Sequence, residues 1–125
     1  MKNKDIKKVM VIDDTSSITE ALGEWLKIGG VQDVVLFDNP IEAIEEIKKN
    51  GAPDFIVTDY NMPEMNGVEF LDNVSQRHDI NALIMTAYPS EVKFKNKQEY
   101  EVIEKKLGFM QTIVQKIKGD QELDN

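Results

Sequence analysis

The sequence predicts an α/β domain in which helices cover both faces of a parallel five-stranded sheet. Short apolar runs rich in β-branched residues occupy positions 8–13, 33–37, 54–59, 82–86 and 100–104. Between them lie stretches whose apolar residues recur at helical spacing. Strict alternation of the two patterns is the signature of a doubly wound sheet, and each crossover is expected to be right-handed.

The elements follow in order. After the first run, Ile18, Leu22, Trp25 and Leu26 share one helical face. Ser17 and Glu20 are spaced as a capping box, and Gly29-Gly30 provides the stop. Trp25 is therefore expected in the core. The second helix begins at Asn39-Pro40, a cap and a first-turn proline, carries Ile41, Ala43, Ile44 and Ile47, and ends at Asn50-Gly51. The third runs from about Gly67 to Arg77, with Val68, Leu71 and Val74 inward and His78 near its end at the surface. Between Tyr88 and Glu99 only Val92 and Phe94 are apolar anchors, so a fourth helix there is expected to be short or irregular. The fifth carries Phe109, Met110, Ile113, Val114 and Ile117, and residues 118–125 read as a frayed tail. Nothing marks an internal boundary, and residues 1–125 read as one domain of about five helices.

Composition narrows the function. The chain has no cysteine, which removes disulfides, zinc-thiolate sites and thiol nucleophiles together. No apolar run is long enough to span a bilayer and no signal-peptide core follows the basic start, so a cytoplasmic protein is expected. The net charge of −8 argues against direct nucleic-acid binding. The charge is also divided: residues 9–72 carry fourteen acids and three lysines, whereas residues 89–118 carry seven lysines and four acids.

Ligands of doubly wound sheets sit beyond the carboxyl ends of the strands. Asp13 and Asp14 close the first apolar run and Asp59 the third, so neighbouring strands would gather three carboxylates. Such a cluster needs compensation, and a hard divalent cation such as magnesium supplies it. Thr86 closes the fourth run and Lys105 follows the fifth, adding a hydroxyl and a cation to the same edge. Together these groups describe a site for a phosphoryl group attacked by a carboxylate.

The stretches "VMVIDDT" (9–15), "IVTDYNMPEMNG" (56–67), "LIMTA" (83–87) and "VIEK" (102–105) occur in that order. The sequence thereby resembles the receiver domain of two-component response regulators, of the chemotaxis-receiver type. The resemblance implies the flavodoxin-like strand order 2-1-3-4-5. It implies Asp59 as phosphoacceptor, with Asp59, Asp14 and the backbone carbonyl of Asn61 as magnesium ligands and Asp13 holding a coordinated water. It also implies that Lys105 pairs with the phosphoryl group and that Thr86 moves towards it. The donor would be a histidine kinase or histidine phosphotransfer protein. The output would be a change of protein contacts, with a downstream target or a second copy, through residues 86–118. Catalysis would be confined to the domain's own phosphorylation and dephosphorylation.

Several departures leave alternatives open. The residue after Lys105 is Lys106 rather than the family's usual proline, so the peptide between them is either cis or trans and Lys106 competes for the lysine's role. Val102 stands where the fifth strand usually carries an aromatic, and Tyr88 or Tyr100 is a candidate substitute. Two other readings remain: the receiver of a longer DNA-binding regulator, and a phosphohydrolase that forms an aspartyl phosphate. The latter chemistry wants Asp-x-Asp, whereas Asp13 and Asp14 are adjacent.

Overall fold

The computed structural model describes residues 6–119. Five strands, β1 (Lys8–Ile12), β2 (Asp33–Phe37), β3 (Phe55–Asp59), β4 (Ala82–Thr86) and β5 (Glu101–Glu104), form one sheet in the order β2-β1-β3-β4-β5. Every pairing is parallel. Three helices connect the first four strands, α1 (Ser16–Ile28), α2 (Pro40–Asn50) and α3 (Gly67–Ser75), and a fourth, α4 (Phe109–Lys118), follows β5.

Alternate strand residues feed two cores, as the pleat requires. Val9 and Val11 of β1, Val57 of β3, and Leu83 and Met85 of β4 pack with Leu22 and Leu26 of α1 and Ile113 and Ile117 of α4. Met10, Ile12, Ile56 and Ile84 point the other way, onto Ile44 and Ile47 of α2 and Phe70 and Leu71 of α3. Both sets are buried, which explains why the central strands read as continuous apolar runs.

The helix ends follow local chemistry, with one exception. Asn39 accepts the amides of Ile41 and Glu42 at the start of α2. Asn66 and Glu69 cap one another reciprocally at the start of α3. The capping box expected at Ser17 and Glu20 does not form. Instead α1 starts two residues earlier, after Thr15, without a side-chain cap. Trp25 is 42% exposed rather than buried, because α1 turns Thr19, Leu22, Gly23 and Leu26 to the sheet. His78 is half-buried beyond α3. Of the tail expected over 118–125, Lys118 closes α4 and Gly119 follows; positions 120–125 lie outside the described residues.

The expected fourth helix is reduced to a single 3-10 turn, Pro89–Glu91, so the described helices number four rather than about five. Residues 92–99 then cross α3 in a segment without helix or strand. Val92 and Phe94 rest against the core, and Lys95 and Asn96 after them reach for α3. A helix needs an apolar stripe to dock, and two apolar residues do not make one. The firmest tie is at the end of the segment, where the Tyr100 hydroxyl donates to Asp72 at 2.7 Å. Hydrogen bonds to a charged acceptor contribute roughly 1.5–3 kcal/mol. Burial, then the hydrogen bond to Asp72, pushes the Tyr100 phenol up to about 12. The neutral phenol is the favoured form, so its contribution is whole below pH 10.0 and is lost as pH rises towards about 12. Asp72→Asn is expected to bring this ionisation back towards 10.0, read as phenolate absorbance. An unchanged titration would show that burial alone sets it.

Candidate functional site

Strand register gathers the site. Val9 to Ile12 of β1 pair with Phe55 to Thr58 of β3, so both strands end at the same edge. Asp13 extends β1, its amide donating to the carbonyl of Phe37 at 3.1 Å, and Asp59 is the last residue of β3. Oxygens of Asp13, Asp14 and Asp59 all lie within 4.8 Å of one another. Asp13 is fully buried, Asp59 is 7% exposed, and Asp14 opens to solvent.

Lys105 completes the cluster. Its amide donates to the carbonyl of Thr86 at 2.8 Å, continuing the β4–β5 ladder by one residue. This aims Nζ at Oδ2 of Asp13, 2.8 Å away, and at Oδ1 of Asp59, 3.0 Å away. Lys106 is exposed, and its amide turns back to the carbonyl of Glu104 at 2.9 Å. No peptide among the described residues is cis, so the Lys105–Lys106 bond is trans.

The other sequence-derived residues lie close by. Thr86 is buried at the end of β4, and its hydroxyl accepts the Tyr88 amide at 3.1 Å. That hydroxyl is thus engaged with the backbone of its own loop. Asn61 is exposed at the start of the loop behind Asp59. Tyr60 anchors this loop, its amide donating to Met85 and its carbonyl accepting from Gly67. A Cβ on Gly67 would come within 2.5 Å of the Asp59 carbonyl oxygen, so only glycine permits the approach. Glu64 adopts a φ of 76°, a left-handed conformation uncommon for this residue type. Neither Tyr88, which is 62% exposed, nor Tyr100, which is held by Asp72, lies in the carboxylate cluster.

The electrostatics mark an incompletely compensated site. Burial, then the nearby charge of Asp13, raises the Asp59 carboxyl above its ordinary 3.8, against the opposing pull of Lys105. Burial alone would lower Lys105, but its bonds to Asp13 and Asp59 outweigh that and raise it. Three carboxylates around one ammonium leave negative charge over, and hard oxygen donors with one solvent-open member fit a hard divalent cation.

A raised carboxyl contributes stability that is present below pH 3.8 and lost as pH rises through its folded value. In metal-free solution at neutral pH, Asp59→Asn is therefore expected to raise the melting temperature. The gain should shrink as pH falls towards 3.8. A variant that melts lower than the native chain at neutral pH would contradict this account of the charge.

Sequence reasoning missed Tyr60, Glu69 and Asp72. Tyr60 is buried, and its hydroxyl accepts the Lys93 amide, while Glu69 and Asp72 hold Lys95, Asn96 and Tyr100. These contacts join residues more than twenty positions apart and have no local signature.

Comparison with known proteins agrees with this geometry. The chain is 31% identical over 91 residues to chemotaxis protein CheY-3 of Vibrio cholerae serotype O1, covering 73% of this chain and 68% of that protein. It is 34% identical over 67 residues to chemotaxis protein CheY1 of Helicobacter pylori, a match that spans 54% of each, about half the length of that relative. Among solved structures it is similar to response regulator protein TrrA of Thermotoga maritima in complex with Mg2+-BeF. That similarity has a TM-score of 0.75 and 25% identity, over 90% of this chain and 99% of the other. Residues 9–118 match the response regulator receiver domain, and the chain belongs to that family.

Proposed function

We propose that this domain accepts a phosphoryl group on Asp59 from a phosphohistidine and thereby switches its contacts with other proteins. The observation that carries the reading is the Asp59 carboxylate at a strand end, flanked by Asp13, Asp14 and Lys105.

In this reading an Asp59 oxygen forms the new bond to phosphorus, and the bond from phosphorus to the donor's imidazole nitrogen breaks with its electron pair. Lys105 holds the Asp59 carboxylate in place and then meets an oxygen of the transferred group. Asp13 keeps Lys105 charged and oriented, its other oxygen fixed by the Thr15 amide at 2.9 Å. Thr86 supplies a hydroxyl hydrogen once it turns from its own loop. Asp14, Asp59 and the Asn61 carbonyl would hold magnesium, with Asp13 reaching it through water. The bound ion would neutralise charge building on the phosphoryl oxygens.

The partners of this reading are a histidine kinase or phosphotransfer protein as donor, in the cytoplasm, and a downstream protein or second copy as target. The output contacts are assigned to residues 86–118, where lysines outnumber acids and only a single 3-10 turn replaces the expected helix. The test is incubation with acetyl phosphate and magnesium, followed by intact-mass measurement. One added phosphoryl group is expected, and none when a chelator is present. A native chain that gains nothing under either condition would contradict the reading.

A further inference from the structure

Residues 92–99 are held at both ends, but unequally. At the near end the Lys93 amide donates to the Tyr60 hydroxyl at 3.3 Å, longer than the usual N–H···O range. At the far end Asp72 accepts both the Tyr100 hydroxyl at 2.7 Å and the side-chain Nδ2 of Asn96 at 2.8 Å. Between them the Lys95–Glu69 pair is largely solvated, the kind that contributes little. The weak end is tied to the residue next to Asp59, and the strong end to α3.

We propose that residues 92–99 form a strap hinged at Tyr100 and unlatched at Tyr60 when Asp59 carries a phosphoryl group. This rests on the reading of Asp59 as phosphoacceptor. Tyr60 is fixed by three bonds: its amide to Met85, its carbonyl to Gly67 and its hydroxyl to Lys93. Its neighbours are Asp59 and Asn61, the residues that the new group and its cation draw towards the strand edge. A shift of that backbone moves the Tyr60 ring, and a bond already at 3.3 Å breaks on a displacement of a few tenths of an ångström. Glu69 adds a second link, because one of its oxygens holds the Asn66 amide at the end of the loop and the other holds Lys95. Thr86 adds a third at the root of the strap, since turning inward strains its bond to the Tyr88 amide. Once unlatched, the strap lifts Val92 and Phe94 from the core face they cover, while Tyr100 stays bound to Asp72.

The test is amide hydrogen exchange on the full chain, with and without magnesium and beryllofluoride, with fluorine NMR reporting loading at Asp59. On loading, the amides of Val92 and Lys93, bonded to the Pro89 carbonyl and the Tyr60 hydroxyl, should exchange about tenfold faster while 101–104 stay unchanged. Tyr60→Phe keeps the ring and removes the latch, so these amides should exchange fast before loading and respond little to it. Tyr100→Phe should instead extend the loaded-state increase into residues 101–104. A loaded native chain with unchanged or slower exchange at Val92 and Lys93 would overturn the proposal, as would a Tyr60→Phe variant that behaves as native. Absence of a fluorine signal would count against Asp59 as phosphoacceptor, while the unloaded Tyr60→Phe comparison would still decide the latch.

Discussion

Replacing Lys105 with alanine is expected to slow phosphorylation from acetyl phosphate by about a hundredfold, and replacing Lys106 by less than about threefold. The two lysines are adjacent, so the contrast isolates position from charge. Lys105 reaches both Asp13 and Asp59, whereas Lys106 is exposed in the turn after β5. Lys105→Ala removes the cation that would meet the charge on the transferred group, and a lost preorganised donor of this kind typically costs two to three orders of magnitude. Time courses of intact mass would measure it. Equal losses in the two variants would mean that general positive charge, rather than this placement, drives the reaction.

Magnesium at about ten times its dissociation constant is expected to stabilise the native chain by about 1.4 kcal/mol, or roughly 5 °C. Asp14→Ala should weaken magnesium binding by about tenfold or more, and Asp13→Ala by less. The reason lies in how each carboxylate is engaged. Both Asp13 oxygens hold protein groups, the Thr15 amide and Lys105, whereas Asp14 stands open to solvent. Titration followed by melting temperature would rank them. A larger loss in Asp13→Ala would make Asp13 the direct ligand and overturn the assignment.

Much of this architecture was legible because it follows local rules. Continuous apolar runs such as Val9 to Ile12 marked strands covered on both faces, and Asn39-Pro40 and Gly29-Gly30 marked helix ends. The carboxylates were legible because they close those runs. What failed depended on competition between local and distant contacts. Ser17 and Glu20 have capping-box spacing, but Asp13 engages the Thr15 amide and α1 begins at Ser16, ahead of that box. Trp25 matched the apolar period, yet it lies at the margin of the buried face of α1. The segment after Tyr88 was recognised as poor in apolar anchors, but its route across α3 depends on Tyr60, Glu69 and Asp72, which no local pattern connects to it.

The central claim is that Asp59, and neither of the other two carboxylates, takes the phosphoryl group. The most direct measurement is to phosphorylate the native chain with acetyl phosphate and magnesium, reduce the acyl phosphate with borohydride, and locate the resulting homoserine by peptide mass spectrometry. The account predicts homoserine at position 59 alone, absent when a chelator is added and absent throughout Asp59→Asn. Homoserine at position 13 or 14 in the native chain, with position 59 unmodified, would contradict it.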